Sequence, residues 1–162
     1  MRYLIKFSKE GNIKFVSHLD LMRTLHKVVK RAALPVKYSK GFNPHMSISI
    51  AQPLSVGMYS CGEYMDVVLE EEIDEVYVND KLNENAPSGI KFLGATKIRD
   101  AKENEKKVPQ SMAAIDGARY ILKIKYTNTH NLNDEIKNIG KMQQWNVVKV
   151  GKKGEKEVNI KP

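Results

Sequence analysis

Three histidines in the first third of the chain, His18, His26 and His45, are the side chains best suited to proton chemistry near neutral pH. His18 lies in the segment "SHLD" (17–20), which invites comparison with a Ser-His-Asp catalytic set. A serine followed three residues later by an acidic residue, just before an apolar helical pattern, is more simply a pair that caps a helix N-terminus. Because the segment also lacks the strained turn that carries a hydrolase serine, the pattern predicts a cap.

A neutral imidazole is expected at His18, since the positive end of a helix dipole opposes its protonation. Such a group beside bound RNA can act as a general base, although binding or structural roles are the simpler interpretation. No cysteine or carboxylate cluster stands at ligand spacing from the histidines, so no metal site is predicted. The sequence has no phosphate-binding glycine loop, no dinucleotide fingerprint and one cysteine, so we expect no cofactor and assign no catalytic residue.

A loop of fixed shape is predicted between the first helix and the strand that follows it. Gly41 permits a tight bend, and Pro44 fixes its own φ and pushes Asn43 towards extended geometry. His45 then stands where an alternating strand pattern begins. We expect Asn43 and His45 to point into a concave site beside His18, where helix N-terminal amides also face an anion.

The charged residues are segregated along the chain, whose formal net charge is +8. The net charge is +8 over residues 1–60, −8 over residues 61–90 and +8 over residues 91–162. Segregated charge attracts polyanions, or an acidic protein, to one part of a surface. Six residues are predicted to contact phosphates, four on the polar face of the first helix and two leading into the loop: Arg23, Lys27, Lys30, Arg31, Lys37 and Lys40.

Several aromatic residues lie within the same basic region and can stack on nucleobases. Tyr3 and Phe7 share the apolar face of the first strand with Ile5, and are expected in the core. Tyr38 and Phe42 flank the predicted loop and are the candidates for an exposed position.

The hydrophobic periodicity predicts strand, helix, strand, strand, helix, strand over residues 1–99. This order is that of an α+β, ferredoxin-like βαββαβ unit, with both helices on one sheet face and the other face free for a partner. Residues 100–117 are polar and are predicted to be a linker. Residues 118–162 repeat the order of strand, helix, strand and strand, which predicts a second, partial ferredoxin-like unit.

The sequence predicts a soluble, cytoplasmic protein with no membrane partner. No apolar run approaches 18 residues, and no charged-then-apolar leader pattern is present. The single cysteine, Cys61, excludes an internal disulfide framework.

Two motifs resemble those of the radical-SAM-linked family, a bacterial domain of unknown function. The first is like F-S-H-L-D and is formed by Phe15 with residues 17–20, and the second is S-x-G-F-N-P-H, formed by Ser39 with residues 41–45. The resemblance extends from Arg2 to Leu93 and is less specific in the later half. Members are fused to, or encoded beside, a B12-type radical-SAM protein, and usually continue beyond the point at which this chain ends.

The resemblance implies an accessory part of a radical-SAM system. The leading expectation is therefore a module without its own catalytic activity that binds RNA or presents a substrate to that enzyme. Two alternatives stay open. One is a metal-independent endoribonuclease, because ferredoxin-like units with a basic helix and a histidine also resemble the CRISPR repeat-processing enzymes. The other is an adaptor whose charge blocks dock the enzyme through protein contacts alone.

Overall fold

The computed structural model of this chain describes four stretches: residues 1–101, 105–127, 130–151 and 154–161. Internal contacts divide the chain into two compact units, Met1–Ala118 and Arg119–Pro162. Among the residues described, no helix is both long enough and apolar enough to cross a membrane.

The first unit has the predicted order of strand, helix, strand, strand, helix and strand. Its elements are β1 (Arg2–Lys9), a 3-10 helix (Gly11–Phe15), α1 (His18–Arg31), β2 (Ile48–Ile50), β3 (Ser60–Val68), α2 (Glu75–Glu84) and β4 (Ile90–Ile98). The four strands form one sheet in the order β2-β3-β1-β4, and each neighbouring pair is antiparallel. The mixed α/β architecture predicted from the periodicity is confirmed.

The core forms where the helices cover one face of this sheet. Alternation along β1 places Tyr3, Ile5 and Phe7 on the covered face, and all three are fully buried. Leu21 and Leu25 of α1 join them in one cluster, because their spacing of four residues keeps them on one side of the helix. Each such side chain contributes about 1.5–3 kcal/mol on burial. The prediction that Tyr3 and Phe7 are core residues is confirmed.

The opposite sheet face is partly covered by the segment that was predicted to be a linker. Ser111 begins a short helix, α3 (Ser111–Ala114), and its backbone N–H and hydroxyl donate to one carboxylate oxygen of Asp66 at 2.8 and 2.6 Å. Arg2 donates to the carbonyl of Val108 at 2.9 Å. Asp66 is buried by these contacts. The expectation that this face is entirely free was therefore wrong. The buried carboxylate of Asp66 needs hydrogen-bond donors, and Ser111, which is distant in sequence, provides them.

The second unit contains α4 (Leu132–Lys141) and a hairpin of β5 (Asn146–Gly151) and β6 (Gly154–Asn159). The predicted helix and two strands are thus confirmed. The strand predicted over 118–126 is not: those residues have no regular secondary structure. Within the described part of this unit β5 and β6 pair only with each other, so residues 118–126 have no neighbouring strand to bond their backbone groups. Period-two alternation indicates which face of a strand would be buried, but it does not show whether a neighbouring strand is present to form hydrogen bonds with it.

Candidate nucleic-acid interface

The start of α1 is built as a cap, as the sequence predicted. The Ser17 hydroxyl accepts the backbone N–H of Asp20 at 3.3 Å and donates to the Asp20 carboxylate at 2.7 Å. Arg23 donates to the same carboxylate at 2.8 Å. The hydrogen bond from Ser17, followed by that from Arg23, lowers the pKa of Asp20 below its ordinary 3.8. The segment "SHLD" is therefore a capping structure, and its aspartate also holds an arginine in place.

The side chains of the four predicted cations of α1 are all exposed, but only two of them interact with other described residues. Arg23 is paired with Asp20, and Arg31 donates to the carbonyl of Asn85 at 2.7 Å. Lys27 and Lys30 have no hydrogen bond or ion pair within the described part of the chain, so both ammonium groups are available to a ligand. The Arg23 pair is exposed and worth about 0–1 kcal/mol, so a phosphate can replace its carboxylate.

The loop after α1 has the fixed shape that its glycine and proline predicted. Tyr38 and Met46 form an isolated antiparallel bridge, and the Ser39 N–H donates to the His45 carbonyl at 2.8 Å. The Ser39 hydroxyl in turn accepts the N–H of His45 at 2.9 Å. Gly41 has φ 132°, a value that side chains rarely allow. These bonds close the loop at its base.

The tip of this closed loop presents an aromatic ring among cations. Phe42 is fully exposed, and Tyr38 at the base of the loop is also exposed. Lys37 and Lys40 are exposed on the same loop and form no side-chain hydrogen bond or ion pair with any described residue. Leaving a phenylalanine fully in water forfeits the burial free energy that a core position would provide. The loop therefore has the composition of a ligand-binding loop: a rigid base, an exposed ring and two uncommitted cations.

The loop histidine interacts with a histidine of α1 that the sequence did not place beside it. His45 is exposed, and it interacts electrostatically with His26 of α1. Burial lowers the pKa of His26 from its ordinary 6.5, and the nearby His45 lowers it further. His26 Nε2 and His18 Nδ1 are buried without a hydrogen-bond partner. Among the described residues no hydrogen bond joins His18 to Asn43 or His45, and a concave site of these three residues stays a prediction.

Three further residues form a cation–aromatic cluster that the sequence did not single out as a site. Lys14 Nζ lies 4.8 Å from the ring centre of Phe15 and 4.3 Å from that of Tyr59. It also donates to the Tyr59 hydroxyl at 2.5 Å. The basic and aromatic composition of residues 1–60 indicated that cations and rings could meet in this region. Which of them meet depends on the fold, which brings Tyr59 beside Lys14.

Within the described residues, no group of three or more histidine, cysteine, aspartate or glutamate side chains is placed to hold a metal ion. The cations and rings of α1, the loop and this cluster suit a ligand that carries both negative charge and flat surfaces.

The four-stranded antiparallel sheet with a cationic helix and an exposed aromatic loop defines an α+β protein with a candidate anion-binding face. The chain belongs to the DUF2344 family, described as an uncharacterized protein conserved in bacteria, whose model matches residues 2–162. A search of curated proteins found no match.

Proposed function

We propose that α1 and the loop of residues 39–45 form an RNA-binding surface, and that the protein works as an accessory module of a radical-SAM enzyme. The observation that carries the RNA proposal is the fully exposed ring of Phe42 beside the uncommitted Lys40. An aromatic ring can stack on any base, while lysine neutralises phosphate. An acidic protein would use the lysines but would not require an isolated ring at the tip of a closed loop.

The fold supports the same proposal. The strand order β2-β3-β1-β4, with antiparallel neighbours and helices after β1 and β3, is that of a ferredoxin-like unit. We propose that the first unit has this fold and that the second is a partial version of it. In such a unit the connection between β1 and β2 contains α1 and the loop, so one connection delivers both the cations and the aromatic ring.

The partner enzyme is proposed from the motif resemblance and from the cysteine content. A radical-SAM cluster needs several cysteine thiolates, and this chain has one cysteine, Cys61, which is exposed. The cluster chemistry must then come from outside these 162 residues, to which we assign RNA binding. An exposed free thiol also fits a reducing cytoplasm.

Titration of fluorescent RNA at several salt concentrations tests the RNA proposal. If Lys27 and Lys30 neutralise phosphates, the double variant Lys27→Glu/Lys30→Glu should bind more weakly. Its log–log dependence of affinity on salt should be flatter by about 0.7 for each phosphate of a single strand that is no longer neutralised. The control variant is Lys91→Glu, an exposed lysine of β4. Unchanged affinity and salt slope in the double variant would refute the proposed surface.

The environment of His26 favours endoribonuclease activity as a second candidate. A histidine whose pKa is lowered by burial is neutral at pH 7 and can accept a proton from an RNA 2′-hydroxyl. Cleavage of bound RNA in the presence of a metal chelator, abolished by His26→Gln, would support this activity. Recovery of intact RNA after prolonged incubation with the wild-type protein would exclude it under those conditions and leave the binding module.

A further inference from the structure

The cluster of Lys14, Phe15 and Tyr59 lies where the 3-10 helix leads into α1. Phe15 is 63% exposed and Tyr59 58% exposed, although both are large aromatic side chains. The ammonium group of Lys14 approaches both rings within 5 Å, and the N–H of Gly57 donates to the Lys14 carbonyl at 2.7 Å. Two rings are thus held in place by one lysine while more than half of each stays in water.

This cluster adjoins the start of α1 along the chain, because the 3-10 helix ends at Phe15 and α1 begins at His18. Four residues at spacings of four, three and four share one side of the helix: Leu19, Arg23, His26 and Lys30. This strip begins at the exposed Leu19, four residues after Phe15, and extends about 16 Å along the helix. His26, in its middle, interacts with His45 at the base of the loop. The strip therefore begins near the Phe15–Tyr59 cluster and passes His26, where it meets His45 of the loop that carries Phe42.

A ligand that follows this strip meets the rings of the cluster, and then the cations of α1 together with the loop that carries Phe42. Single-stranded RNA has this chemistry, because its bases are free to stack and its phosphates occur once per nucleotide. Duplex RNA does not, because its bases are stacked on each other inside the helix. A peptide partner would need regularly spaced acidic residues between two aromatic contacts.

We infer that the ligand of this protein is single-stranded RNA held at two stacking points, one on Phe15 and Tyr59 and one on Phe42, with its phosphates on the cations of α1. This inference rests on the proposed RNA-binding function and specifies the class of RNA and a second contact site. Lys14 serves the site in two ways, since it orients both rings and lies within reach of a phosphate.

The test measures the affinity of a single-stranded oligonucleotide and of the matching duplex for four proteins: the wild type, Phe42→Leu, Phe15→Leu/Tyr59→Leu and Tyr77→Leu. Tyr77 is a matched control, since it is half exposed on α2 and also has a lysine, Lys81, 5.7 Å from its ring centre. Thermal denaturation confirms that each variant is folded.

We expect the wild type to prefer the single strand. Each loss of stacking, at Phe42 or at the Phe15–Tyr59 pair, should weaken binding about 5- to 150-fold, and Tyr77→Leu should have no effect. The salt slope should stay the same in all variants, because no phosphate contact is removed.

The possible failures are distinguishable. If the wild type binds no RNA at low salt, the proposed function fails and this inference fails with it. If Phe42→Leu weakens binding while Phe15→Leu/Tyr59→Leu matches the wild type, RNA binding stands and the second stacking point is wrong. Preference for the duplex would also overturn the inference, because a duplex cannot use either stacking point.

Discussion

At the scale of single residues, the protonation of His26 in α1 depends on His45 in the loop, because a positive charge on one imidazole disfavours a positive charge on the other. The folded protein holds the pKa of His26 below the 6.5 expected of the unfolded chain, first through burial and then through His45. The unfolded chain therefore binds this proton more readily than the folded one. It follows that the stability contributed by neutral His26 is fully present above pH 6.5 and is lost as the pH falls through the lowered pKa.

The variant His45→Ala should raise the pKa of His26, because it removes one of the two causes of its depression. The pKa should stay below 6.5, since burial is the larger cause and is unchanged. NMR titration of the imidazole resonances measures this directly. Since His45 is exposed, the variant should cost little stability at pH 7, and a surface substitution of this kind changes it by about 0.5 kcal/mol or less.

Two results would contradict this account of the histidines. An unchanged pKa of His26 in His45→Ala would mean that the two rings are not coupled. Unfolding of His45→Ala would mean that the histidine supports the loop itself, a role that its exposed position does not suggest. His130→Ala in the second unit is the control for removing a histidine elsewhere.

Single residues also show which parts of the candidate site the sequence can reveal. The positions of Asn43 and His45 in an exposed loop followed from Gly41 and Pro44, because these residues restrict the backbone locally. The nearness of Tyr59 to Lys14 did not follow, because 45 residues separate them and only the packed sheet brings them together. Local chemistry thus predicted the loop, whereas the second aromatic cluster required the fold.

At the scale of elements, the loop depends on the backbone geometry of Gly41. Its φ of 132° is strained for any residue with a side chain, even though a Cβ at this position would meet no atom within 4 Å. Gly41→Val should therefore destabilise the loop by about 1–3 kcal/mol through backbone strain alone. Gly94→Val in β4 is the matched control, because a Cβ there also meets nothing within 4 Å and no positive φ opposes it.

Thermal unfolding of the two glycine variants, followed by the same spectroscopic signal, separates backbone strain from crowding. We expect a lower melting temperature for Gly41→Val than for Gly94→Val, together with weaker RNA binding as Phe42 loses its fixed position. Equal melting temperatures would show that the loop tolerates another conformation and that its base is not rigid.

The helices and strands differ in how well the sequence predicted them. The period of α1 placed Leu21 and Leu25 in the core correctly, because a helix satisfies its backbone groups internally. The alternation over residues 118–126 predicted a strand that the structure does not contain. A strand needs a neighbour for its backbone N–H and C=O groups, and alternation contains no information about whether a neighbour is present.

At the scale of the whole molecule, the charge blocks of the sequence correspond to different elements of the first unit. Seven of the ten cations of residues 1–60 lie on the 3-10 helix, α1 and the loop, and the other three lie on β1. Several acids of residues 61–90 lie on or before α2. Some of these acids are neutralised within the protein, as Glu84 is by Lys81 at 2.7 Å and Glu72 is by Lys97. The cations of the loop have no such partners among the described residues, so attraction for a polyanion is concentrated near α1.

The contact between Asp66 and Ser111 joins segments 45 residues apart and determines how much of the second sheet face is covered. Asp66 is buried, receives two hydrogen bonds from Ser111 and lies 3.8 Å from Nε of Arg2. Removing this carboxylate leaves the N–H and hydroxyl of Ser111 without their acceptor and Arg2 without its ion-pair partner. Asp66→Ala should therefore destabilise the first unit by about 3–5 kcal/mol and release residues 105–114 from the sheet.

Limited proteolysis and thermal unfolding of Asp66→Ala test this contact against the control Asp80→Ala, an exposed aspartate of α2. We expect Asp66→Ala to be cleaved faster at Lys106 or Lys107 by trypsin, because both lysines are in the segment that Ser111 anchors. RNA binding by the folded variant should be retained, since α1 packs on the opposite face of the sheet. If cleavage at these lysines is as slow in Asp66→Ala as in Asp80→Ala, the segment is held by other contacts, and Asp66 does not determine the coverage of this face.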